Sequence, residues 1–298
     1  MIEIDECPIC GSNNLIHFLT CLDHSISREN FQLASCKKCH FILTTPRPDN
    51  TQLGKYYLSK AYTSHIGKAK TLLDRVYVIA RGFTLKWKLS VVEKNTLNSI
   101  NKNLLDYGCG TGEFLKVAKA KTWTTFGVEP SANARSQASD DISTNISSSL
   151  EEIPSNKLFD AITLWHVLEH VSDLDVTLQK LKNLLSNNGT IFIAVPNHSS
   201  WDGKKYRNNW AGYDVPRHLW HFSKDNMKML LEKNEMKLLK IIPMKLDAFY
   251  ICLLSEKYKA NGVLTFSAVV KAVINGFRSN IQGKKYGEYS SMIFIARK

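Results

Sequence analysis

The sequence predicts an α/β protein, a doubly wound parallel sheet with a small β-rich module ahead of it. Three observations predict this. From residue 101 onward, short apolar runs alternate with helical stretches. The first of those runs ends in three glycines at alternate positions. Two pairs of cysteines stand near the N-terminus, in a stretch with few helical signals.

The alternation sets the main domain, residues 101–298. Strands are expected at 104–108, 124–129, 142–146, 160–166 and 190–195, with helices near 112–121, 131–138, 149–152 and 173–186. Two more apolar segments, 237–243 and 290–297, follow and are separated by helical stretches. Strands that alternate with helices form a parallel sheet covered on both faces. Residues 196–236 read as an insertion, rich in aromatic and polar residues from Trp201 to Phe222.

Ahead of this domain, residues 1–45 carry four cysteines and short apolar stretches, which suits a small knuckle fold. Thr45-Pro46-Arg47-Pro48 is a stiff exit, because each proline pushes its predecessor out of helical geometry. Residues 46–100 read as a helical linker. There Leu72, Val76, Ile79, Phe83, Trp87 and Val91 recur at three- and four-residue steps and mark one apolar stripe. The expectation is that this stripe packs on the next domain.

A chain that is 44% hydrophobic and 22% charged can build a real core, so disorder is not expected. The start, MIEIDECPIC, has no apolar segment of the signal-peptide kind, and no run is long and apolar enough to span a bilayer. The expected location is the cytoplasm. The formal charge is +12, and residues 201–298 contribute 18 Lys/Arg against 8 Asp/Glu. Such a face could meet an anionic membrane surface, a phosphorylated substrate or nucleic acid, or could simply be solvated.

The segment Leu104-Leu105-Asp106-Tyr107-Gly108-Cys109-Gly110-Thr111-Gly112-Glu113 carries the functional reading. An apolar strand runs into alternate glycines and then a helix. Glycine permits positive φ and close approach of a ligand to the backbone. The ligand site is then the carboxyl end of the strand beside a helix N-terminus, where adenine-nucleoside cofactors bind in Rossmann-like sheets. Twenty-one residues after Gly108 comes Glu129, at the end of the second strand, where a carboxylate accepts hydrogen bonds from ribose hydroxyls. The nicotinamide fingerprint is G-x-G-x-x-G, and this sequence has Asp-x-Gly-x-Gly-x-Gly instead.

Leu104 to Gly112 resembles motif I of class I S-adenosylmethionine-dependent methyltransferases. Gly127 to Pro130 resembles the acidic motif that follows it, and Phe159-Asp160-Ala161-Ile162 the fourth-strand motif of the same superfamily. The resemblance implies a seven-stranded sheet whose last two strands form an antiparallel hairpin. It also implies S-adenosyl-L-methionine as cofactor, with its amino-acid end over Gly108 and Gly110. Asp106, Gly112, Glu129, Pro130, Leu150 and Trp165 would complete that site.

The knuckles Cys7-x2-Cys10 and Cys36-x2-Cys39 supply four thiolates, the donor set of a closed structural zinc site. Such a site has no open position, so zinc chemistry at the methyl is not expected.

After the fourth strand, Trp165-His166-Val167-Leu168-Glu169-His170 puts His166, Glu169 and His170 within one helical turn. A similar stretch in ubiquinone-pathway O-methyltransferases binds a divalent metal, with Glu where His166 stands. The segment from Tyr213 to Ser223 resembles the substrate loop of zinc-module sugar methyltransferases, with His218 at its last histidine and Arg217 in place of a glutamate. That resemblance implies His218 as general base, with His166 and Tyr62 as the other catalytic candidates. Trp210, Tyr213, Arg217 and His170 are the expected acceptor contacts. Tyr57, Tyr62 and His65 precede the main domain where related enzymes fold a segment over the cofactor. Because Arg217 replaces the glutamate, oxygen is favoured over carbon as acceptor.

The expected activity is methyl transfer to a small or lipid-linked acceptor, a hydroxyl of a sugar or glycan or of a quinone-like compound. Two other classes compete. Some ribosomal RNA methyltransferases carry a zinc module before this fold, but Leu164-Trp165-His166 lacks the Asn/Asp-Pro-Pro-aromatic signature of base-amine methylation, which speaks against nucleic acid. A non-catalytic binding protein would have no need of the intact glycines and Glu129.

Overall fold

The structure is a computed structural model that describes residues 1–57, 72–97, 102–138, 140–143, 145–154 and 156–298. Its strands are β1 Leu15–Leu22, β2 Asn30–Cys36, β3 Ile42–Thr44, β4 Asn103–Tyr107, β5 Thr124–Val128 and β6 Ile146–Ser147. They continue with β7 Phe159–Trp165, β8 Leu185–Pro196, β9 Trp220–His221, β10 Lys237–Pro243 and β11 Ser291–Arg297. The principal helices are α1 Leu72–Asn95, α2 Glu113–Lys119, α3 Leu174–Leu184, α4 Lys224–Lys233, α5 Asp247–Lys259 and α6 Phe266–Tyr286.

Seven strands form the main sheet in the order β10-β11-β8-β7-β4-β5-β6. The inner strands are parallel, while β11 runs antiparallel to both β8 and β10. The central strands are buried on both faces: Leu104, Leu105, Ile162, Leu164, Ile191 and Ile193 have no exposed surface. Continuous burial explains why these strands read as unbroken apolar runs rather than alternating ones.

The expected hairpin is present, and β10 spans the expected residues. The third strand differs. Residues 140–143 are helical and β6 is only two residues long. Ile142 is buried and packs against Gly112, so its apolar side chain serves a helix–loop contact rather than a strand. The fifth strand starts five residues early, at Leu185. Gly189 makes this possible, since a Cβ there would lie 2.7 Å from the Phe159 carbonyl oxygen.

The apolar stripe on α1 is also corrected. Of the expected stripe, Phe83 is 68% exposed and Trp87 also faces solvent, while Val91 is buried with Leu89 and Val92 against Leu104, Phe114 and Leu115; the side chains of Leu72, Val76 and Ile79 lie outside the described residues. Leu85, Leu89 and Val92 repeat at helical steps too, and that second stripe is the one the sheet covers.

A four-stranded antiparallel sheet, β1-β2-β3-β9, has Cys36 at the end of β2 and Cys39 in the turn before β3. Its fourth strand comes from the insertion: Leu43 pairs with Trp220 and Ile42 with His221. The N-terminal residues and the insertion therefore share one sheet, and the Thr44 hydroxyl donates to the His218 carbonyl at 2.8 Å. Phe41 fills the space below, against Trp220 and Phe222.

Candidate active site

The glycine loop lies at the carboxyl end of β4, as its position at a strand–helix junction requires. Gly108 and Gly110 have φ of +74° and +57°, conformations that cost an L-residue roughly 1–2 kcal/mol. Their surroundings differ. A Cβ on Gly108 would strike Val167 at 2.5 Å, so that glycine serves packing. A Cβ on Gly110 would meet nothing within 4 Å, so its bare backbone faces open space where a ligand can approach. Glu129, at the end of β5, accepts from the Gly110 amide at 2.9 Å and the Ser131 amide at 2.8 Å. Each carboxylate oxygen keeps a lone pair for a further donor. Gly112 caps α2, Pro130 is exposed beside Glu129, and Leu150 starts the turn after β6. These residues line one edge of the sheet, and a nucleoside with vicinal hydroxyls fits that donor and acceptor set.

Asp106 points inward instead. It is buried and accepts from the Thr163 hydroxyl at 2.6 Å. Burial pushes its carboxyl up to about 7, against the pull of Thr163 and Lys88. Lys88, on α1, stands with its ammonium 4.6 Å from the centre of the Trp165 ring, a contact that sequence reasoning missed. Phe114 meets the same ring edge-on.

At the end of β7 the chain turns sharply, with His166 at φ +60°. Non-glycine residues held there mark sites where surrounding contacts enforce the conformation. Here they are ionic: His166 Nε2 lies 2.9 Å from Asp247 and Nδ1 lies 3.4 Å from Glu169. Burial would lower the imidazole's pKa, but these two carboxylates raise it to about 9. The folded value lies above the unfolded one of about 6.5, so the stabilisation is complete below pH 6.5 and is lost as pH rises through 9. Melting temperature should therefore fall across that window, and Asp247→Asn should flatten the fall. Equal slopes in both proteins would show that Asp247 does not hold His166.

Glu169 is 1% exposed, and apart from the 3.4 Å ionic contact with His166 neither of its oxygens has a hydrogen-bond partner among the described residues. Around it stand three histidines. His170 donates from Nδ1 to the Arg217 carbonyl at 3.0 Å, with the Tyr57 hydroxyl also 3.0 Å from that nitrogen. Burial and the neighbouring His218 push its pKa down to about 4, so it is neutral. His218 Nδ1 lies 2.9 Å from the Gly212 carbonyl, which can only accept, so in the neutral ring the proton sits there and the lone pair is on Nε2. The rings of His170 and His218 meet edge to face with centroids 4.6 Å apart. Glu169, His170 and His218 each offer a ligand atom within 4.8 Å of the others, a set that could also hold a divalent ion.

Three expected acceptor contacts are corrected. Arg217 is fully buried, with Nε and Nη2 on Asp214 at 2.9 and 2.6 Å and Nη2 on Asp23 at 3.0 Å. Both carboxylates, one of them from the N-terminal sheet, consume its charge. Trp210 is likewise internal, donating to Asp202 at 2.8 Å. Tyr213 is buried between Trp210 and His221. The aromatic density of the insertion is core rather than an open pocket. Tyr62 and His65 lie outside the described residues.

The cysteines converge. Cys7 and Cys39 sulfurs are 3.4 Å apart, Cys10 and Cys36 sulfurs 3.6 Å, and none is in a disulfide. Four sulfurs around one zinc at 2.3 Å stand about 3.8 Å from each other, so the cluster has the size for that ion. All four lie within 4.8 Å.

A family model described as a methyltransferase domain matches residues 85–241, more than half of the chain. The chain belongs to that methyltransferase family. It is an enzyme of the S-adenosylmethionine-dependent kind, and its seven-stranded sheet ending in an antiparallel hairpin matches the fold of its structural neighbours. The (4+2)-cyclase SpnF aligns with a TM-score of 0.53 and 18% identity, covering 85% of this methyltransferase and 98% of that chain. The cyclopropane synthase MmaA2 from Mycobacterium tuberculosis gives 0.52 and 14%, over 85% and 100% of the two chains. A phosphoethanolamine N-methyltransferase from Haemonchus contortus gives 0.54 and 14%, over 86% and 62%. At such identities these likenesses show the fold. No curated protein matches the sequence.

Proposed function

We propose that this methyltransferase alkylates a hydroxyl of a small or lipid-linked acceptor, a sugar or a quinone-like ring, with Glu169 and His218 removing the proton. The observation that carries the reading is the buried Glu169 carboxylate beside His218, at the same sheet edge as the glycine loop. S-adenosylmethionine supplies a methyl group on a sulfonium and so needs no activation by the protein. Gly110 and Glu129 would hold its nucleoside, and Trp165 with Phe114 would wall the site from water.

The remaining work is orientation and proton removal. Holding the acceptor in line contributes about 7–11 kcal/mol, and a base worth 10²–10⁴-fold adds about 3–5 kcal/mol. His218 receives the hydroxyl proton on Nε2, while Glu169 stabilises the imidazolium that forms. A carbon acid would also need a free cation to hold its enolate. Arg217 and His166, the cations beside this pair, are already engaged by carboxylates.

Zinc in the four-cysteine cluster has a structural role in this reading. It fixes β3, and through β9 it fixes the segment that carries His218. The test is transfer of a labelled methyl group to a panel of sugar nucleotides, catechols and their deoxy counterparts. Label should enter an ether oxygen and be absent from acceptors without the hydroxyl. Label on carbon or nitrogen would overturn the assignment.

A further inference from the structure

We infer that α6 is a membrane-docking helix, which seats the enzyme on a bilayer surface containing anionic lipid. The helix has two faces. Ala268, Ala272, Asn275, Gly276, Ser279 and Gly283 are buried against the rest of the chain. On the opposite side Phe266, Val270, Val273, Phe277 and Ile281 form a stripe at steps of four and three residues, and all are exposed. Phe266 is 86% exposed, Ile281 65% and Phe277 58%. Ile274 widens the stripe, and Val263 and Leu264 extend it before the helix begins. Scattered apolar residues on a surface need no explanation, but a contiguous stripe of large ones marks an interaction face.

The charges beside the stripe identify its occupant. The helix has four basic residues, Lys271, Arg278, Lys284 and Lys285, and no acidic one. Lys271 and Arg278 join Lys205 and Lys259 around an open cavity of about 350 Å³ that Ile274 also lines. The one carboxylate there, Glu256, is buried and accepts from Tyr206 and Asn275, so four cations stand against a single negative charge. None of the four cations makes an ion pair among the described residues. Aromatic and aliphatic side chains on one face with lysine and arginine along its margin is the pattern of helices lying in the plane of a bilayer. The cavity has the charge for a lipid phosphate, and basic residues at the margin select anionic headgroups. No helix among the described residues is long and apolar enough to cross the membrane, so the contact is one of surface only.

The topology gives the docking a use. Pro243 pairs with Met292, and Met292 with Val195 near the carboxyl end of β8. The excursion through α5 and α6 thus leaves and rejoins the sheet at the edge that carries the glycine loop and His218. A bilayer under α6 would lie beside the acceptor entrance. Membrane binding itself does not depend on the acceptor proposed above.

Full-length enzyme should be floated with phosphatidylcholine vesicles, with and without phosphatidylserine, without cofactor or acceptor. Binding should need phosphatidylserine, weaken with added salt, and fall at least about tenfold in Phe266→Ser/Ile281→Ser and in Lys271→Glu/Arg278→Glu. Unchanged circular dichroism and S-adenosylmethionine affinity would confirm that these surface variants are folded. Absence of binding to either vesicle would overturn the proposal. So would a wild type that sediments as a dimer dispersed by Phe266→Ser/Ile281→Ser, since the stripe would then cover a second copy.

Discussion

Replacing Cys36 and Cys39 by serine is expected to remove one zinc ion per chain and to unfold the small sheet. Structural zinc contributes an apparent 10–16 kcal/mol in small metal-folded domains, roughly the whole stability of an ordinary domain. The loss should spread to catalysis by a defined route. β3 pairs with β9, Thr44 bonds the His218 carbonyl, and Asp23 bonds Arg217 next to it. A shift of about 1 Å in a catalytic group can cost on the order of a hundredfold. Methyl transfer should fall by at least that factor. S-adenosylmethionine affinity should change far less, because the glycine loop and Glu129 belong to the other sheet. Elemental analysis, melting curves and turnover on the same preparations check this. A wild type without zinc, or a variant that melts and turns over normally, would remove the cysteine cluster from the account.

The sequence and the structure agree where the signal is local. The glycines of 108–112 announce a strand–turn–helix junction through backbone demands that no other residue meets cheaply. The two cysteine knuckles need only spacing to be recognised, and β10 and β11 are apolar runs bounded by polar residues. Local pattern fails where two solutions share one period. On α1 the Phe83 stripe and the Leu89 stripe repeat alike, and only the sheet beneath decides between them.

The active-site details were beyond reach for a different reason. Glu169 and His218 are brought together by packing of the insertion over the end of β7, and no spacing rule encodes that meeting. Arg217 in place of the glutamate favoured an oxygen acceptor, but Glu169 restores a carboxylate beside His218 from another segment, so that preference rests instead on the neighbouring cations being held by carboxylates. Arg217 drew attention as a charged residue in an acceptor loop. Its partner Asp23 lies 194 residues away, so its burial was invisible in sequence. Lys88 over Trp165 is a contact of the same long-range kind.

Replacing His218 by alanine tests the account most directly. If His218 and Glu169 together take the acceptor's proton, turnover should drop about 10²–10⁴-fold. S-adenosylmethionine affinity should stay within about twofold, since among the described residues the ring makes no hydrogen bond or ion pair to the glycine loop or Glu129. Glu169→Gln should show a smaller fall, because the imidazole keeps its lone pair on Nε2 through the Gly212 carbonyl but loses the charge that stabilises its protonated form. The measurement is single-turnover transfer of labelled methyl in wild type and both variants, beside calorimetric titration with the cofactor. A large loss of transfer with intact cofactor binding is the predicted result. Wild-type transfer by His218→Ala would contradict it.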